Sequence, residues 1–171
     1  MSSALGDIVR LGGLALQAED CAIRAALHHR GEHGGLVHMQ NERYHQFVIW
    51  RAVLPIWHAV LERENSTDII ISRDGVKHYF ELKNWRGETG NDQLTSITHD
   101  VGKGQARENG YLLITSVNPV DQTDENIQYL LSNVAGLEVS SQNDFRFRTK
   151  ESDGSDLDYW IAGWSVLKSP I

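Results

Sequence analysis

At 171 residues, 40% of them apolar, the chain has the size of one ordinary domain and enough apolar material to fill a core. Its formal charge of −7 argues against a protein that coats nucleic acid through a general excess of cations. Its one cysteine, Cys21, excludes a disulfide framework and a cysteine-built zinc site within the chain.

No apolar run reaches the roughly 18 residues of a membrane span, and MSSALGDIVRLGG lacks the basic start and long apolar stretch of a signal peptide. A cytoplasmic protein without membrane association is expected. Residues 3–29 are predicted to form a packing helix, with Leu11, Leu14, Ala18, Ala22, Ala25 and Ala26 at helical spacings and an end near the glycines of RGEHGG. A second helix starts behind Asn41, a good N-cap, and runs to about residue 64. Its buried stripe is Gln46, Ile49, Trp50, Val53, Ile56, Trp57 and Val60, and Pro55 predicts a kink.

After Ser66 the period changes to two. TDIIIS and VKHYFELKNW read as strands joined by a tight turn at Arg73-Asp74-Gly75, a β-hairpin. Residues 86–92 are a polar loop and 93–108 a helix containing Gly102 and Gly104. YLLITSV is a buried strand, Asp124 to Ala135 a helix, and FRFRTK and DYWIAGWSVL two strands separated by ESDGSD. This order gives an α/β fold, a mixed layer with helices on both faces, in a single domain without internal repeats.

Alternation along YFELKNW puts Phe80 and Leu82 on one face of the strand and Tyr79, Glu81 and Lys83 on the other. A carboxylate and an ammonium two residues apart on a strand reach the same small ligand. Asp68 opens the neighbouring strand, just before Ile69-Ile70-Ile71, and the turn folds that strand back beside Glu81, so two carboxylates converge. Phosphodiester hydrolysis needs a hard cation to polarise the phosphoryl oxygen, activate water and neutralise developing charge. Mg²⁺, or Mn²⁺ in its place, takes one or two carboxylates from a protein and keeps several waters, so Asp68, Glu81 and the carbonyl of Leu82 suffice as ligands. Lys83 then positions water and stabilises charge, since two nearby carboxylates oppose the depressed pKa that a base would need. Glu42, four residues before Gln46 and in the first turn of its helix, points toward the sheet as a third metal contact. The helix N-terminus also favours a carboxylate there without any such role.

These residues resemble the PD-(D/E)XK restriction-endonuclease-like superfamily, which includes restriction enzymes, junction resolvases and repair nucleases. The likeness lies in residues 42–117: Glu42 opening a helix, Thr67-Asp68 before three isoleucines, a short turn, and Glu81-Leu82-Lys83 ending an apolar strand. The resemblance implies a restriction-endonuclease-like core within 41–117, preceded by an N-terminal helical extension over 1–40 and followed by a helix and a C-terminal β-hairpin. Asp68 and Glu81 would hold Mg²⁺ and Lys83 would assist. The next helix would add a polar side chain, Lys103 or Gln105, with Gln105 preferred. The sequence departs from the family in having Thr67 where a proline is usual, and in its acidic charge.

The implied activity is that of a metal-dependent nuclease, a DNA endonuclease, with DNA as partner and a homodimer as one way to cut both strands. The alternative is a non-catalytic protein on the same fold, its acidic surface binding a basic protein in an immunity or assembly role. A third reading, an unrelated ligand-binding module, requires Asp68 and Glu81 to lie far apart. Elsewhere, Arg146, Arg148 and Lys150 share one face of FRFRTK, a basic strip that would grip phosphates unless it is a solvated strand face. His28, His29, Glu32 and His33 read as a solvated helix end before a metal site. Trp85 reads as packing before base stacking, and Trp160 and Trp164 as covering the sheet or joining subunits.

Overall fold

The computed structural model describes residues 3–39, 41–61, 67–86 and 91–168, leaving the side chains of 91 and 92 aside. The expected second-helix end at 62–64, the Asn65-Ser66 switch and most of the 86–92 loop lie outside the described residues. Helix α1 spans Ala4–His28, capped by Ser3, whose hydroxyl accepts from Gly6 N–H. A single 3-10 turn, Leu36–Met39, leads to α2, Glu42–Val53, where the Asn41 side chain accepts from the amides of Arg43 and Tyr44 as its residue type predicts.

The remaining elements are β1 His58–Val60, β2 Ile69–Arg73, β3 Val76–Asn84, α3 Asn91–Gln105, β4 Gly110–Pro119, α4 Thr123–Asn133, β5 Leu137–Lys150 and β6 Asp156–Val166. They form one mixed six-stranded sheet in the order β1-β2-β3-β4-β6-β5. Among the described residues only β3 and β4 pair in parallel, and a parallel pair needs a crossover. Helix α3 is that crossover, so it returns over the strand carrying Glu81 and Lys83. The two-residue turn between β2 and β3 puts Asp74 and Gly75 at φ of 52° and 79°, the mirror-image geometry that matches strand twist.

Strand alternation divides the core. Ile69, Ile71, Phe80, Leu82 and Leu113 face α1 and α2, while Leu112, Ile114, Trp160 and Trp164 face α3 and α4. α/β architecture with helices on both faces therefore follows from the expected pattern, as does the terminal β5–β6 hairpin.

Three expectations are corrected. The second helix does not run on past Pro55 with a kink but ends at Val53, because proline offers no N–H to the carbonyl four residues back. The chain turns there, and His58–Val60 becomes an edge strand with its Ala59 carbonyl accepting from Trp50 Nε1 at 3.0 Å. Ile56 and Val60, expected in the buried stripe, are 57% and 43% exposed. The N-terminal helix packs against the sheet as expected, but through Leu5, Ile8, Val9 and Leu16, whereas Leu14, Ala18, Ala22, Ala25 and Ala26 of the expected spacing are exposed. Finally, β5 begins at Leu137, eight residues before the expected FRFRTK strand, with a register irregularity between Glu138 and Asn143.

Candidate active site

Ile69 pairs with Phe80, so Asp68, one step before β2, comes level with Glu81 on the face opposite the α1/α2 core. Asp68 is fixed at both ends. Its Oδ2 accepts from the Leu82 amide at 2.8 Å, and Gln46 Nε2 of α2 donates to its backbone carbonyl at 2.7 Å and to Oδ1 at 3.3 Å. Gln46, expected simply to face the core, is thus a positioning residue. Leu82, expected to supply its carbonyl, enters the cluster through its N–H. Thr67, at the position where the resembled family has proline, is buried and places its hydroxyl on Glu81.

Two lysines thread between three carboxylates. Lys83 Nζ lies 3.1 Å from Asp100 Oδ2 and 3.3 Å from Glu42 Oε1; Lys103 Nζ lies 2.6 Å from Asp100 Oδ1 and 3.6 Å from Glu81 Oε2. Asp100, 3% exposed, is the hinge of this arrangement, one oxygen to each ammonium. Burial raises the pKa of Asp68, against the Leu82 hydrogen bond, with Glu42 adding to the rise. Glu81, also 3% exposed, is pushed up to about 7, by burial first and then by the negative charge of Asp68. Burial works against the charge of Lys83, but the bond to Asp100 and the field of Glu42 outweigh it and hold the ammonium above its usual value. Lys103 is held up first by its bond to Asp100.

Among the described residues no three His, Cys, Asp or Glu side chains gather as a ready metal-binding group. The pairing accounts for this: Glu42 and Asp100 are turned toward ammonium groups, Glu81 shares Lys103, and Asp68, bound by Gln46 and the Leu82 amide, lies level with Glu81 in the strand register. Two crowded, desolvated oxygen donors fit a small hard cation that keeps most of its own waters. Glu42 sits at the lysine and not in a third ligand position.

No protein-family model, curated protein or solved structure matches this chain.

Of the residues marked in the sequence, Glu42, Asp68, Glu81, Leu82 and Lys83 come together. Gln105 does not join them. Its amide reaches across to the α4–β5 connection, where a Cβ on Gly136 would stand 2.8 Å from Nε2. On α3 the residues at the cluster are instead Lys103, the other candidate, and Asp100, which sequence reasoning missed. The signal was there: Asp100 sits between Ile97 and Val101 on the helix's apolar arc, an acid where a core residue belongs.

The basic strip on β5 is neutralised. Arg146 pairs with Asp124 at 2.7 Å and Asp144 at 2.8 Å, Arg148 with Asp158 at 2.8 Å, and Lys150 with Asp156 at 2.7 Å. Trp85 is buried, stacked on Tyr129 and edge-on to Trp160, and Trp160 and Trp164 are wholly buried in the α3/α4 core.

Proposed function

We propose that this chain is a divalent-metal-dependent nuclease built on a restriction-endonuclease-like core, hydrolysing phosphodiester bonds, with DNA as its substrate. The observation that carries this is the pair Asp68 and Glu81, crowded until the Glu81 carboxyl rises to about 7, with Lys83 alongside. Paired carboxylates at the end of a buried hairpin, beside a lysine two residues on, support the resemblance seen in the sequence. So does the succession α2, β2, β3, α3, β4.

A divalent cation, when bound, supplies Lewis-acid polarisation of the phosphoryl oxygen and an activated water. Asp68 and Glu81 would hold it, and Asp68 is pre-positioned for this by Gln46 and the Leu82 amide. Lys83 keeps its proton, because Asp100 and Glu42 stabilise the ammonium. Its task is therefore to orient water and to offset negative charge developing on the phosphate, not to abstract a proton. Lys103 adds a second positive charge on the same side, and Asp100 fixes the geometry of both.

Wild-type protein and Glu81→Ala are incubated with supercoiled plasmid, single-stranded DNA and RNA, each with Mg²⁺, Mn²⁺ or EDTA. Metal-dependent cleavage of DNA that vanishes in the variant is the expected result. Absence of cleavage on every substrate would sink the nuclease reading. It would leave the non-catalytic alternative, which the aspartate-capped cations of β5 and the net charge of −7 favour as a surface for a basic partner.

A further inference from the structure

The catalytic face of β3 continues past Glu81. Lys77 and Tyr79 share it by alternation, and α3 runs alongside with Asp100 and Lys103 on one stripe and Arg107 one turn further, just beyond the helix end. The Arg107 guanidinium lies 5.0 Å over the ring of Tyr79. Between them opens a recess of about 540 Å³ lined by Lys77, Tyr79, Arg107, Glu108 and Asn109, among others. Val60, Ile70 and Tyr79 lie in register across three strands beside it, and none of the three is buried.

We propose that this recess is the substrate track: it seats backbone phosphates of the DNA strand adjoining the bond that is cut. The inference rests on the nuclease reading above.

Three features point to it. First, neither Lys77 nor Arg107 forms an ion pair among the described residues, whereas every cation of the β5 strip is tied to an aspartate. In an acidic chain, unpaired cations beside the catalytic cluster are where phosphate neutralisation can occur. Second, the Tyr79 ring holds the guanidinium over its face, so Arg107 is pre-organised for an anion instead of freely rotating. Third, the spacing fits. At about 3.4 Å per strand residue, Tyr79 and Lys77 lie about 7 and 14 Å from Glu81. A DNA strand presents a phosphate about every 3.4 Å of helix axis, and successive phosphates along its winding backbone are farther apart than that, so the recess lies within about four nucleotides of the scissile bond. Glu108 also lines the recess and leaves it one net positive charge, enough to guide a strand without gripping it.

The test uses Glu81→Gln protein with Ca²⁺, so that binding is read without cleavage, and a fluorescein-labelled duplex DNA titrated by anisotropy at several KCl concentrations. Adding Lys77→Ala and Arg107→Ala together is expected to weaken binding about tenfold and to make the slope of log affinity against log salt shallower by about 2. Arg148→Ala should change neither quantity. Tyr79→Phe should keep affinity and Tyr79→Leu should lose it. Both ring variants are checked by thermal melting, so that loss of fold is not read as loss of binding. Unaltered affinity and slope in the double variant, while wild type cleaves DNA, would overturn the track and leave the nuclease standing. An equal loss with Arg148→Ala would also overturn it, since general electrostatics would then suffice. A wild type that neither binds nor cleaves DNA defeats both.

Discussion

Glu81 is asked to be buried and charged at once, and without a cation the fold bears the cost. Its carboxyl titrates near 7 in the folded protein against 4.5 in an unfolded chain. The stability it contributes is complete below pH 4.5 and is lost as pH rises through 7, by up to about 3 kcal/mol. Glu81→Gln should therefore abolish cleavage yet raise the urea midpoint in EDTA at pH 8, while leaving it nearly unchanged at pH 4. Mg²⁺ should raise the melting temperature of wild type and not of the variant, because only the charged pair gains from the ion. A variant less stable than wild type at pH 8 would show that the crowding inferred at this pair is absent.

Asp100 makes the complementary case. Its two oxygens hold Lys83 and Lys103, so Asp100→Asn should leave both ammonium groups in place but poorly aimed. The expected cost is about 100-fold in kcat with KM little changed, the size of effect seen when one charge-stabilising group is misplaced. A matching rise in KM would instead assign Asp100 to substrate binding.

Among the elements, the β2–β3 hairpin was readable because every local rule agrees there: alternation, a triple isoleucine and an Asp-Gly turn. Gly75 has φ of 79° and a Cβ at that position would meet nothing within 4 Å, so Gly75→Ala tests the backbone alone. It should cost roughly 1 kcal/mol in the denaturation midpoint. A change near zero would mean that the turn relaxes to another type.

Helix α2 was half readable. Asn41 marks its start correctly, but Ile56 and Val60 continue the helical period past Pro55, and periodicity cannot tell an apolar residue on an exposed edge strand from one on a buried stripe. The rotation of α3 was not readable either. Glycines at 102 and 104 weaken the pattern that would have shown Lys103 and Asp100 facing the strand and Gln105 turned away. On β5 alternation correctly separated Arg146, Arg148 and Lys150 from the phenylalanines, yet the aspartates that neutralise them come from β6 and from the segment around α4 as well as from β5 itself. Sequence distance hides such partners.

Across the whole molecule, the Asp68–Glu81 pairing is local, within one hairpin, while its supports are contributed by α2 and α3 from the two faces of the sheet. That is why the convergence of Asp68, Glu81 and Lys83 was legible and the parts of Gln46 and Asp100 were not. Behind the cluster the layers are tied by a group that no motif announced. His45 of α2 is fully buried, its Nδ1 3.2 Å from the Asn84 amide and 3.1 Å from Thr115 Oγ1, its Nε2 3.2 Å from Tyr159 OH. One ring thus joins α2 to β3, β4 and β6. Burial lowers its pKa from 6.5 to about 4, so the folded protein keeps it neutral where the unfolded chain would take up a proton.

The stability this neutral ring supports is complete above pH 6.5 and is lost as pH falls toward 4, by up to about 3 kcal/mol. Glu81 titrates with the opposite sign between 4.5 and 7 and masks the effect in wild type. In the Glu81→Gln background the urea midpoint should therefore fall steadily from pH 7 to pH 5, and adding His45→Asn, whose amide can stand where Nδ1 does, should flatten that slope. A slope unchanged by His45→Asn would mean that the acid sensitivity arises elsewhere and that the buried ring does not titrate with unfolding.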